Sequence, residues 1–147
     1  HLASSAASDV YKRQAGNIEL EITESIAMGD IVGNINTLNR IKAMGFKLAM
    51  DDFGTGFSSL NYLQQMPIDC LKIDRAFVQT SNTQSGSEII EMIVQLSKTL
   101  GLKVVAEGVE DQEQADLLKT LKCDEVQGFF FARPMPAEDL HAWLKNR

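Results

Sequence analysis

Nine side chains carry acid, amide or ammonium groups at intervals that suit one kind of chemistry: Glu21, Glu24, Asp51, Asp52, Lys72, Asp74, Glu107, Glu110 and Gln127. Carboxylates in such number are hard oxygen donors, the kind that Mg2+ and Mn2+ prefer. A carboxylate rim holding two such ions about 4 Å apart is a common device for phosphodiester hydrolysis, because the ions polarise the phosphoryl oxygen and acidify water. The adjacent pair Asp51-Asp52 is the sharpest signal. Like charges on neighbouring residues are costly in a packed domain unless solvent or a cation holds them. The pair closes the run Lys47-Leu-Ala-Met50, and Gly54-Thr-Gly56 follows, a turn able to bend sharply and present backbone N–H groups.

Several of these residues also have an ordinary structural use. Glu110 suits an acid at a helix start. Asp74 and Arg75 suit a loop cap or a mutual ion pair, and Lys72 suits a structural salt bridge. Glu19 suits a solvated strand position, and Phe129, Phe130 and Phe131 suit packing more than a ligand platform.

The elements that must position the rim follow from pattern. Ile18-Glu-Leu-Glu-Ile22 alternates apolar and polar residues, as a half-buried strand does. Over 30–44, Ile31, Ile35, Leu38 and Ile41 share one helical face, and Gly45 supplies the stop. Strands are expected at 46–50, 70–73, 103–106 and 124–127. Helices are expected at 58–65, at 111–120, at 137–145, and after a capping box Ser85-Gly-Ser-Glu88 up to Gly101. This βα alternation, five times over, predicts an α/β fold with parallel neighbouring strands. The polar groups then all fall at strand ends on one edge, which in a (βα)-barrel is the C-terminal rim where such enzymes keep their sites.

Composition agrees with one compact domain. The chain has 147 residues, 44% hydrophobic and 23% charged, with a net charge of −6. That balance argues against a protein that coats nucleic acid or an anionic membrane. No run approaches the roughly 18 apolar residues of a membrane span. Cys70 and Cys123 lack metal-ligand spacing and read as two buried, reduced thiols, which points to a cytoplasmic setting. Residues 1–14, HLASSAASDVYKRQ, are small, polar and aperiodic. They read as a non-native or disordered N-terminal segment that resembles translated sequencing adapter, ahead of a domain portion over 15–147.

The motifs Glu21-Ile-Thr-Glu-Ser25, Asp51-Asp-Phe-Gly-Thr-Gly56, Leu71-Lys-Ile-Asp-Arg75, Ala106-Glu-Gly-Val-Glu110 and Gln127-Gly128 occur in that order. Together, over 17–147, they resemble the EAL-domain family of cyclic-di-GMP phosphodiesterases. The resemblance implies a (βα)8, TIM-type barrel that opens one phosphodiester bond of cyclic di-GMP to give linear pGpG, with two Mg2+ or Mn2+ ions. It implies that Glu21, Asp51 and Asp52 are metal ligands and that Glu24 steadies the Asp-Phe-Gly-Thr-Gly loop. It implies further that Lys72 holds the attacking water, that Glu107 is the general base, that Gln127 orients water or substrate, and that Glu110 is a further site acid. A homodimer and an upstream sensory or cyclase domain, tethered to a membrane sensor or not, are the partners it implies besides cyclic di-GMP. Phe57 stands where the family usually has tyrosine.

The chain departs from the family pattern in one respect. Neither the Glu-Ala-Leu motif, whose glutamate is a metal ligand, nor the asparagine ligand of the next strand is present. A complete barrel takes about 250 residues. The chain is therefore expected to be the C-terminal part of such a domain, about five βα units, and to be inactive alone although its parent is an enzyme. The alternative is a catalytically silent domain that senses cyclic di-GMP or binds a protein.

Overall fold

A computed structural model describes residues 15–56 and 59–146; the 1–14 segment and Phe57 lie outside the described residues. A short 3-10 turn at Ala15–Asn17 leads into β1 (Glu19–Thr23), α1 (Glu24–Ala27), α2 (Ile31–Ala43), β2 (Lys47–Phe53), α3 (Leu60–Gln65) and β3 (Cys70–Ile73). There follow α4 (Arg75–Gln79), α5 (Gln84–Leu100), β4 (Lys103–Ala106), α6 (Gln112–Thr120), β5 (Glu125–Val126) and α7 (Ala137–Lys145). The five strands form one parallel sheet in chain order, β1-β2-β3-β4-β5. The expected α/β class and parallel strands are therefore observed.

Strand side chains alternate between the two faces of a sheet. Leu48 and Met50, Leu71 and Ile73, and Val104 and Ala106 pack under the helices with Leu38, Leu63, Ile90, Val94 and Leu118, all buried. The alternate positions Ala49, Cys70 and Val105 make a second, small cluster. Two residues further along each strand, on the face of that second cluster, come Asp51, Lys72 and Glu107. The same count from Glu125, the partner of Val105, reaches Gln127. Period-two geometry thus sends the functional candidates of four strands to one place.

Several boundaries differ from the sequence expectation. β2 runs to Phe53, so the aspartate pair lies inside the strand. α5 starts at Gln84 and is capped by Thr83, whose Oγ1 accepts from Gly86 N at 3.1 Å; Ser85 lies within the first turn, and Glu88 accepts from Gln84 Nε2 instead of closing a box. β5 is only Glu125–Val126, because the Asp124 side chain turns aside to accept from Val104 N. α1 and α4, one turn each, were not expected. Both thiols are free, but only Cys70 is buried; Cys123 is half-buried. Burial pushes Cys70 up to about 12 and Cys123 up to about 11. Among the described residues β1 and β5 each pair on one side only, and no helix is long and apolar enough to cross a membrane.

Candidate active site

The rim is organised around one ammonium. Lys72, carried on the central strand β3, is buried, and its Nζ lies 2.5 Å from Glu21 Oε1, 2.6 Å from Glu107 Oε1 and 3.6 Å from Asp51 Oδ1. Burial works against its charge. The hydrogen bonds to Glu107 and Glu21 and the charges of Glu107 and Asp51 outweigh that cost and hold the ammonium above the usual lysine range. Gln127 Nε2 donates to the same Glu107 oxygen at 2.7 Å. Glu21, Asp51, Lys72, Glu107 and Gln127, from five strands or strand ends, therefore meet directly.

The aspartate pair is made possible by a β-bulge. Met50 pairs with Leu71 and Phe53 with Ile73, so β2 carries one residue more than β3 between these points. Asp52 has φ +55°, a conformation that Asp tolerates better than most residues. A bulge re-aims a side chain that alternation would send to the opposite face. Asp51 faces Lys72 as alternation requires, and it is Asp52, at positive φ, that the bulge re-aims. Partial burial and the charges of Asp51 and Asp74 raise the Asp52 carboxyl above the ordinary value, against a smaller opposing effect of Lys72.

The glycine turn after the pair is held by Glu24, which is 1% exposed. Its Oε2 accepts from Gly54 N at 2.9 Å and from Gly56 N at 3.0 Å. Glu24 reaches this position because α1 begins directly at the end of β1 and turns the chain downward.

Glu110 stands apart from the Lys72 cluster. It is not the acid that starts α6, a place taken by Asp111, which accepts from Gln114 N. Its carboxylate lies 3.4 Å from Arg75, across a cavity of about 480 Å³ that Glu107, Gln127, Phe129 and Arg133 also line. Asp74 and Arg75 do not pair with each other: Asp74 caps α4 through Ala76 N at 2.7 Å. Of the three phenylalanines, Phe131 packs on the core, whereas Phe129 is half-exposed beneath the Arg133 guanidinium, 4.7 Å from its ring centre. Asp74, expected at the rim or as a loop cap, serves as the cap of α4.

The family model described as the EAL domain matches residues 3–134. The chain belongs to the EAL domain family. Among curated EAL relatives, the bifunctional diguanylate cyclase/cyclic di-GMP phosphodiesterase MucR of Pseudomonas aeruginosa is 45% identical over 133 residues, covering 90% of this chain and 19% of MucR. The cyclic di-GMP phosphodiesterase NbdA of the same organism is 43% identical, covering 87% of this chain and 16% of NbdA. The chain thus spans less than a fifth of the length of these relatives. A solved PaMucR phosphodiesterase–c-di-GMP complex superposes with a TM-score of 0.85 at 42% identity, over 95% of this chain and 57% of that one. The manganese/cyclic-di-GMP complex of Klebsiella pneumoniae BlrP1 gives 0.76 at 32% identity, over 82% of this chain and 31% of that one.

The donor chemistry of this EAL segment fits a hard divalent cation. Its rim acids are oxygen donors of the kind such an ion takes, and the charges of Asp51 and Asp74 raise the Asp52 carboxyl. Among the described residues, however, no three His, Cys, Asp or Glu side chains close on one point. The Lys72 ammonium takes the central place instead.

Proposed function

We propose that this chain is the C-terminal part of an EAL domain whose parent hydrolyses cyclic di-GMP to linear pGpG with two Mg2+ or Mn2+ ions. The observation that carries the reading is the Lys72 ammonium, gripped by Glu21 and Glu107 beside a bulge that turns two adjacent aspartates to the same rim. Glu21, Asp51 and Asp52 would hold the ions, with further ligands from outside the segment. Bound there, the ions would supply charge stabilisation at the phosphoryl group and a more acidic water. Glu107 would serve as the base that takes a proton from the attacking water. Lys72 and Gln127 share one Glu107 oxygen and so fix the direction of the carboxylate. Lys72 also offers positive charge to the nucleophile. Glu24 keeps the Gly54–Gly56 turn closed against the aspartates. The cavity beside Glu107 and Gln127 gives the substrate room to lie across the rim.

The reading extends to a reducing, cytoplasmic setting, in keeping with the two free thiols, to a parent with an upstream sensory or cyclase domain, in keeping with the greater length of the relatives, and to a homodimer, as the family resemblance implies. The lack of a three-donor cage among the described residues favours a second reading, a domain that binds cyclic di-GMP without turnover. One experiment separates the two. A complete domain carrying residues 17–147 is incubated with cyclic di-GMP and Mg2+ or Mn2+. Metal-dependent pGpG supports the enzyme; saturable binding with no product supports the sensor.

A further inference from the structure

Glu107 can meet Lys72 and Gln127 only as reliably as its own backbone is held, and it sits on an irregular turn, 107–110, between β4 and α6. That turn is gripped from two sides. On one, Gln127 N donates to Ala106 O at 2.9 Å, Val109 N to Gln127 O at 3.1 Å and Phe130 N to Val109 O at 3.0 Å. A side chain at Gly128 would forbid this approach, since its Cβ would lie 2.1 Å from Val109 O. On the other side stands the one-turn helix α4. Gln79 Nε2 donates to Gly108 O at 2.9 Å. The Arg75 stem lies flat across Gly108, so close that a Cβ there would fall 2.4 Å from Arg75 Cγ, and its guanidinium goes on to Glu110. Gly108 has φ +75°, a conformation that only glycine adopts freely. Helix α4 is itself anchored: Val78 is fully buried in the core, and Asp74 caps the helix through Ala76 N.

We propose that Arg75 and Gln79 are positioning residues that brace the 107–110 turn and so hold Glu107 against Lys72; their effect on turnover rests on the phosphodiesterase reading above.

The test uses a complete domain carrying residues 17–147, with Gln79→Ala, Arg75→Ala, Arg75→Lys and, as a destabilised comparator remote from the rim, Leu38→Ala. Three quantities are read: kcat and KM for cyclic di-GMP, the thermal midpoint, and the side-chain amide signals of Gln127 in a 1H–15N spectrum. The brace predicts that Gln79→Ala and Arg75→Ala each lower kcat about tenfold with KM within about twofold, the equivalent of about 1.4 kcal/mol in the barrier. It predicts that Arg75→Lys, which keeps the stem, retains most of the rate, and that the Gln127 signals move in both Ala variants and stay in place in Leu38→Ala. Unchanged kcat per folded molecule overturns it. So does a loss in Leu38→Ala as large as in the brace variants. If the unmodified domain makes no pGpG, it is the phosphodiesterase reading that fails, and the amide signals alone then decide: displaced by Gln79→Ala they uphold the brace, unmoved they overturn it.

Discussion

The Asp52 carboxyl feels the negative charge of Asp74 as well as that of its neighbour Asp51. Partial burial, and then these charges, put it above its ordinary value of 3.8. A carboxyl raised on folding costs stability when it ionises: the cost is absent well below 3.8, grows as pH rises toward the raised value, and is fully present above it.

Asp52→Asn should therefore raise the thermal midpoint of the metal-free domain at pH 7 and do little at pH 3. In the same variant of a complete domain, cyclic-di-GMP turnover should fall tenfold or more, at least about 1.4 kcal/mol of barrier. A scan at both pH values with a pGpG assay checks both halves. A lower midpoint at pH 7 would show that the aspartates are not crowded.

Lys72→Met leaves Glu21, Asp51 and Glu107 facing one another. Breaking a buried ion pair costs about 3–5 kcal/mol, and the half-exposed Glu21 puts this one at the low end. The ammonium is raised on folding, so its contribution is complete below 10.5 and is lost only as pH climbs through the higher folded value. At pH 7 denaturant titration should show the full loss. In a complete domain kcat should fall more than KM rises; a change in KM alone would make Lys72 a substrate-positioning residue.

Glu24→Ala should release the glycine turn. Each hydrogen bond to a charged acceptor contributes about 1.5–3 kcal/mol, and the amides of Gly54 and Gly56 both lose theirs. Hydrogen exchange at these two amides should become fast while that of Leu71 in the neighbouring strand stays slow. Protection retained at both would place the turn under other control.

Asp69 gives an acid-sensitive tie away from the rim. It takes two bonds from Lys42 Nζ, at 2.6 and 2.7 Å, and a third from Leu48 N at 2.8 Å. Burial works against its charge, but these bonds and the charges of Lys42 and Lys47 outweigh it and hold it below 3.8. Its contribution is complete above 3.8 and is lost as pH falls through the lowered value. With both partners about one-third exposed, Asp69→Asn should cost about 1 kcal/mol or less at pH 7. The gap between variant and parent in urea midpoint should narrow from pH 5 to pH 2.

The 147-residue chain alone should not hydrolyse cyclic di-GMP. Among the described residues β1 is an edge strand, with Ile18 and Leu20 exposed, and unpaired edges invite association between chains. An activity assay with Mg2+ or Mn2+ and size-exclusion chromatography check this together. Metal-dependent pGpG from a monodisperse monomer would refute it.

Much of this was legible in the sequence because the signals were local. β3, β4 and α7 fall on their expected residues, bounded by Pro67 or Asp69, by Gly101 and by Pro136. Lys72 and Glu107 were legible as rim residues because strand alternation carries them there. The one-turn helices α1 and α4 were not, since four or five residues show no helical period. The bulge at Asp51–Asp52 was hidden because its cause is the register against β3, a tertiary fact. The Arg75–Glu110 contact was hidden for the same reason, and Thr83 outcompeted Ser85 as a cap because the chain turns one step earlier, through its own bond to Thr80 O.

Strand order in the sheet equals strand order in the chain, and this gives the site a history during synthesis. From β2 onward each strand that leaves the ribosome finds one neighbour already made. Within this segment the rim acids Glu21, Asp51 and Asp52 precede the rim's ammonium. Lys72 follows Asp52 by twenty residues, on the order of one to four seconds at ordinary translation rates. Glu107 and Gln127 come last and close around an ammonium already gripped by Glu21, so the nascent chain neutralises its acids before it completes its rim.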